Sequence, residues 1–167
     1  RMFSTGYASV DIIKGLKLKE ILSYDYAVQK DSRYLNPLSG AGPKSGSDAQ
    51  TSKGFTEYGK LLSSTSLNYT RTFADKHHLD VLAAYELESY QSDKAMGEKS
   101  KLPSDVLLEP DNAAVLKSFV SSTQAYRMIS YLSRLNYDYD DRYYIAGRYR
   151  RDGSSRLAPE SRWGDFW

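Results

Sequence analysis

Long stretches of this chain alternate strictly between apolar and polar residues, a period of two that an extended strand with two unlike faces satisfies and a helix does not. The pattern is clearest from Gln124 to Asp152. Tyr131, Ser133, Leu135, Tyr137 and Tyr139 make one parity mostly apolar or aromatic, while Ser130, Arg134, Asn136 and Asp138 fill the other. The next segment repeats it, with Tyr143, Ile145, Gly147 and Tyr149 against Arg148, Arg150 and Asp152. Only Asp140 to Arg142 separates the two segments, which predicts a hairpin.

Two further hairpins are predicted upstream. Leu67, Tyr69 and Phe73 oppose Ser66, Asn68, Thr70 and Thr72; past the link Ala74 to His78, Leu79, Val81, Ala83, Tyr85 and Leu87 oppose Asp80, Glu86 and Glu88. At the front, Ala8, Val10 and Ile12 lead through Lys14-Gly15 into Leu16, Leu18, Leu22, Tyr24 and Tyr26, whose alternate positions hold Lys17, Lys19, Ser23 and Asp25. Between hairpins the chain changes character: Asp31 to Gly54 is rich in Gly, Ser and Pro, and Gln91 to Thr123 is largely polar, so both are expected as long loops.

About six strands result, each able to supply the roughly 9–11 residues with which a tilted strand crosses a bilayer. Short turns on one side and long loops on the other is the layout of an outer-membrane β-barrel, which places Lys14-Gly15, Ala74 to His78 and Asp140 to Arg142 at the periplasmic side. Aromatic content supports the same expectation. The chain has 15 Tyr, and Tyr137, Tyr139, Tyr143 and Phe73 crowd the turns as a membrane-interface girdle would, with Tyr24, Tyr26 and Tyr85 in place for the opposite one. Glu20 and Arg71 break the apolar parity. Arg71 lies near a turn, from which it reaches the interface; at Glu20 a bulge or a local penalty is expected.

A soluble β-sandwich that binds carbohydrate through exposed tyrosines alternates in the same way and is the competing fold. Other classes fall away. A formal net charge of +2 provides no broad basic field for nucleic acid, and zero Cys excludes disulfides, thiolate metal sites and a cysteine nucleophile. No run of about 18 apolar residues offers a membrane helix.

Candidate chemistry is sparse. His77 and His78 are adjacent at a strand entry, so they point to opposite faces, a poor geometry for a shared metal, and they read as solvated turn residues. Asp138, Asp140 and Asp141 lack the Gly and Glu spacing of a calcium loop. Gly40, Gly42 and Gly46 sit in a loop with none of the strand-to-helix context a phosphate-binding motif needs, and Asn68-Tyr69-Thr70, a glycosylation sequon, falls inside a predicted strand. Arg148, Arg150 and Asp152 lie on the polar parity, where they solvate a lumen, pair with a plug or touch a substrate. No catalytic, cofactor-binding or metal-binding residue is assigned, no cofactor is expected, and no substrate-contacting residue is singled out.

The segment Asn136 to Tyr139, the turn Asp140 to Tyr143, the returning Arg150 to Arg156 and the element Arg162 to Phe166 together resemble a signature stretch of the SusC/RagA family of TonB-dependent outer-membrane transporters. Ile13 to Leu16 and Phe73 to Asp80 are similar to other turns of that family. Arg151, Leu157 and Trp167 stand where Ala, Phe and Pro are more usual. The resemblance implies that residues 1–167 form part of an antiparallel transmembrane β-barrel of roughly 22 strands, without the plug domain or TonB box. It implies a non-enzymatic role in importing glycan or peptide oligomers across the outer membrane of a Gram-negative, Bacteroidetes-like cell. The partners implied are a SusD-like surface lipoprotein, the TonB complex, the rest of the barrel with its plug, and outer-membrane lipid.

Overall fold

A computed structural model of the chain describes residues 1–38 and 48–167; Gly40, Gly42 and Gly46 lie outside the described residues. Its strands are β1 (Met2–Ile13), β2 (Leu16–Leu35), β3 (Gln50–Phe73), β4 (His77–Ser100), β5 (Val115–Tyr139), β6 (Tyr143–Ser154) and β7 (Trp163–Phe166). They form one seven-stranded sheet in chain order, an up-and-down arrangement in which short links join β1 to β2, β3 to β4 and β5 to β6. The predicted hairpins are all present, and the seventh strand is the Arg162 to Phe166 element. Residues divide between two compact units: Met2–Asp25, Gly59–Tyr90 and Ala125–Trp167 in one, with Tyr26–Tyr58 and Gln91–Gln124 in the other.

In the first unit the tight links are held by backbone geometry. Gly15 has φ +85°, and Ala74, Asp75, Asp140 and Asp141 have φ between 51° and 57°, the left-handed region that turns this short demand. Asp138 suits its turn because its Oδ1 accepts the Asp141 N–H at 2.9 Å. Neighbouring links also bond to each other: the Thr70 N–H donates to the Gly15 carbonyl at 2.7 Å and the Asp140 N–H to the Lys76 carbonyl at 2.8 Å.

The β5–β6 register pairs Leu135 with Gly147, Tyr137 with Ile145 and Tyr139 with Tyr143, and on alternate positions Ser130 with Asp152 and Arg134 with Arg148. Like parities therefore meet, and the apolar and polar faces stay separate across the hairpin. Two aromatic rows cross the apolar face. Near the turns Phe73 stacks on His77 at 4.9 Å, His77 lies 4.9 Å from Tyr139, and Tyr139 lies 6.4 Å from Tyr143. Farther along the strands Tyr85 lies 5.4 Å from Tyr131, which stacks at 6.0 Å on Trp163. From Tyr139 to Tyr131 a strand tilted as in barrels rises about 20 Å, close to the apolar band of about 25 Å between two girdles.

Two expectations are corrected. His77 belongs to β4 and is no solvated turn residue: its ring is packed among Phe73, Tyr137 and Tyr139, with Nδ1 2.6 Å from the Tyr137 hydroxyl. His78 does point to the other face, bonded to Thr72. At Glu20, within β2, the hydroxyls of Ser63 and Thr65 on β3 donate to the carboxylate and offset the local penalty. Most of the described residues in the two predicted long loops are strand, since β2 runs to Leu35, β3 begins at Gln50, β4 runs to Ser100 and β5 begins at Val115. Strand pairing needs backbone hydrogen bonds; alternation needs one face in an apolar medium, so a ladder with water on both sides leaves no periodic mark.

In the second unit the chain from Lys101 to Ala114 is tied to the start of β3. The Lys101 N–H donates to the Ala49 carbonyl at 3.2 Å, Thr51 Oγ1 donates to the Leu108 carbonyl at 2.7 Å, and Lys53 pairs with Glu109. Ala113, 3% exposed, is the one buried apolar side chain among the described residues.

Because Gly15 needs its left-handed backbone and a Cβ there would run into the Thr70 carbonyl, Gly15→Ala is expected to lower the denaturation midpoint. Ala74→Gly should raise it, with a gain in stability of about 1 kcal/mol, since it relieves an L-residue of the left-handed penalty. Opposite signs in a urea titration of the folded protein confirm the turn geometry; equal signs refute it. Gly153 lies against the Trp163 ring, 2.8 Å from where a Cβ would sit. Gly153→Ala is therefore expected to shift the tryptophan emission by displacing that ring, and an unchanged spectrum would contradict the packing of β7.

Candidate functional site

The polar face of the first unit carries a connected set of charges. Lys60 Nζ lies 2.8 Å from Glu88, which also accepts the Tyr126 hydroxyl at 2.8 Å. Arg150 Nε donates to both oxygens of Asp152 at 2.8 Å, its Nη2 to Ser130 at 3.3 Å, and it lies 4.0 Å from Glu86. Asp80 accepts from Arg134 at 2.9 Å and from Thr70 at 3.1 Å. Residues two apart on a strand share a face, and adjacent strands bring these side chains within reach. Such half-exposed pairs add little stability individually. Their effect here is to cancel charge locally along a hydrated wall.

Of the residues singled out in the sequence, Arg150 and Asp152 are bonded to each other, while Arg148, exposed, makes no ion pair or hydrogen bond among the described residues. Its Cα partner across the ladder is another cation, Arg134. The sequence reading missed the Lys60, Glu88 and Tyr126 cluster, although all three lie on the polar parity of their strands. Tyrosines also divide by face. Tyr85 and Tyr131 belong to the apolar row, whereas Tyr126 bonds Glu88 on the polar side, stacks with Tyr90 at 5.0 Å and has the Arg156 guanidinium 4.1 Å above its ring.

Leu82 and Leu132 interrupt the polar parity. With Phe166, opposite Arg150 in the β6–β7 register, they line a recess beside Arg134 and Arg148. In the second unit Asp93, beyond the length of β4 that a bilayer covers, accepts from Thr123 at 2.6 Å and from Gln91 at 3.0 Å. These bonds hold its carboxyl below the usual carboxylate range. Among the described residues no group of three or more His, Asp or Glu gathers for a metal ion.

No protein-family model matches the chain. Two TonB-dependent receptors of Formosa agariphila do: one is 28% identical over 99% of this chain, the other 25% identical over 96%. The chain spans 16% of the length of each. Among solved structures, the RagAB peptide transporter superposes with a TM-score of 0.87 at 23% identity, covering 98% of this chain and 18% of that one. The RagAB peptide importer in its open-open state gives 0.85 at 24% identity, over 97% and 18%. The strands, the two-faced patterning and the likeness along nearly the whole sequence make this chain similar in sequence to TonB-dependent receptors and in fold to the barrel of the RagAB peptide transporter.

Proposed function

We propose that this chain forms part of the wall of a SusC-like TonB-dependent transporter that imports glycan or peptide oligomers across the outer membrane of a Bacteroidetes-like cell. The observation that carries the reading is the bare apolar face. Val10, Leu22, Leu67, Leu135 and Ile145 are all 38% exposed or more, and no second layer covers them among the described residues. Lipid is the medium in which such a face between two aromatic rows is stable. A soluble sandwich would need a second sheet against it.

The polar face then lines the lumen, with its cancelled charges toward water, plug and cargo. The likeness to TonB-dependent receptors supports TonB-driven import, and the likeness to the RagAB peptide transporter supports a peptide cargo. On this reading residues 1–167 contribute barrel wall, while plug and TonB box come from sequence beyond them. The lid is a SusD-like surface lipoprotein, and the energy reaches the barrel through the TonB complex. No catalytic step is involved.

Val81→Arg and Leu135→Arg, on the lipid face, are expected to cost about 2–4 kcal/mol near the midplane and to deplete the folded protein from outer membranes. Ala146→Arg, on the polar face, should leave the amount unchanged. Equal tolerance of all three would refute the barrel assignment. In cells that assemble the protein, uptake of labelled oligopeptides or oligosaccharides should stop when TonB is removed, and the oligomer taken up identifies the cargo; TonB-independent uptake would refute the transport mechanism.

A further inference from the structure

Arg71 carries its charge on the apolar face. Thr70 bonds Asp80 and Thr72 bonds His78 across β3 and β4 on the polar side, so Arg71 between them faces the other way, beside Phe73 of the turn-side aromatic row. β3 is flanked by β2 and β4 in the sheet, and neither neighbour gives Arg71 a carboxylate. Among the described residues it is exposed and makes no ion pair, and its side-chain hydrogen bond runs from Nη1 to the Tyr69 hydroxyl at 3.3 Å.

A second cation lies beside it. Lys14 continues the apolar parity of Ala8, Val10 and Ile12 into the link between β1 and β2, and it too makes no ion pair among the described residues. That link rests on β3: the Thr70 N–H donates to the Gly15 carbonyl at 2.7 Å, and the Tyr69 ring lies 3.9 Å from where a Gly15 Cβ would sit. Lys14, Tyr69 and Arg71 thus border one spot at the turn end of the apolar face.

All that these side chains present is donors. The Tyr69 oxygen accepts from Arg71 and keeps its own proton to give, while the rest of the guanidinium and the Lys14 ammonium have only N–H groups to offer. The matching ligand is an oxyanion, and the planar fork of arginine fits two oxygens of one phosphate. Arg71 stands two residues inward of Phe73, about 5 Å along the axis for a strand tilted as in barrels, so its stem reaches back to headgroup level. A lipid brings a phosphate to that level together with acyl chains that cover the neighbouring apolar side chains; a soluble anion brings no such cover. Two cations at one spot favour a headgroup whose phosphate is not already balanced by an amine.

We infer that Arg71, Tyr69 and Lys14 form a headgroup site for an anionic glycerophospholipid in the periplasmic leaflet, with its phosphodiester held between guanidinium, hydroxyl and ammonium. The inference rests on the barrel reading above, which puts the short links at the periplasmic side. The bound phosphate supplies the counter-charge that β2 and β4 do not.

The test uses the full-length receptor reconstituted in vesicles of equimolar phosphatidylethanolamine and phosphatidylglycerol, with p-benzoylphenylalanine in place of Phe73 as photo-crosslinker and the lipid adducts identified by mass. With Arg71 and Lys14 intact, phosphatidylglycerol should be captured about fivefold more often than phosphatidylethanolamine, the preference that one cation near the surface gives. Arg71→Gln should bring the ratio close to one, Lys14→Gln should lower it, and Arg71→Lys should keep part of it. Equal capture of the two lipids with both cations intact, or a preference that survives Arg71→Gln, overturns the site. A preference that inorganic phosphate abolishes also overturns it, by giving the donors to a soluble anion. If Arg71→Gln fails to assemble, Lys14→Gln decides alone, and an unchanged ratio there overturns the site. The barrel reading is scored by the adducts themselves: equal capture of both lipids fails the headgroup site and leaves the barrel standing, whereas the absence of any lipid adduct at position 73 fails the barrel reading.

Discussion

The fold depends on the exchange of an interior for an environment. A single sheet buries backbone hydrogen bonds in its ladder but has no second layer to receive its apolar side chains, and among the described residues the one buried apolar side chain, Ala113, lies outside the strands. In water, a face carrying Val10, Leu22, Leu135 and Ile145 would drive aggregation. In a bilayer the same face needs no protein partner, and the ladder satisfies the backbone of the strands between its two edges. The aromatic rows then fix how far the strands sink, with Phe73, His77 and Tyr139 at one level and Tyr85, Tyr131 and Trp163 at the other.

The exceptions to the two-face rule are resolved locally. Glu20 is tolerated because two hydroxyls on the next strand donate to it, and Arg71 reaches the Tyr69 hydroxyl on its own strand. Gly153 gives up a side chain so that Trp163 can lie flat against the sheet, with the Arg151 guanidinium 5.2 Å above the ring. Each solution draws on the neighbouring strand or on the residue two along, because those are the only places a sheet offers.

The three hairpins were legible in the sequence because lipid on one side forces alternation, and because Gly15 and the Asp140-Asp141 pair are turn residues. The distal halves of β2 to β5 were not, since strand pairing in water places no demand on hydropathy. His77 was misread for a related reason: adjacency to a turn predicts solvent, but a ring level with Phe73 and Tyr137 is recruited into the interface row. Of the polar face, Arg150 and Asp152 could be picked out by parity alone. Their mutual bond depends on the rotamer one strand allows, which a linear pattern does not encode.

The order of strands in the sheet repeats their order in the chain. Every pairing is therefore with the preceding or following strand, and each hairpin can dock on the edge left by the one before it without waiting for a distant segment to arrive. A wall built this way grows by accretion during insertion. It can also gain or lose a hairpin over generations, since removing one opens two edges that are already matched to each other in kind.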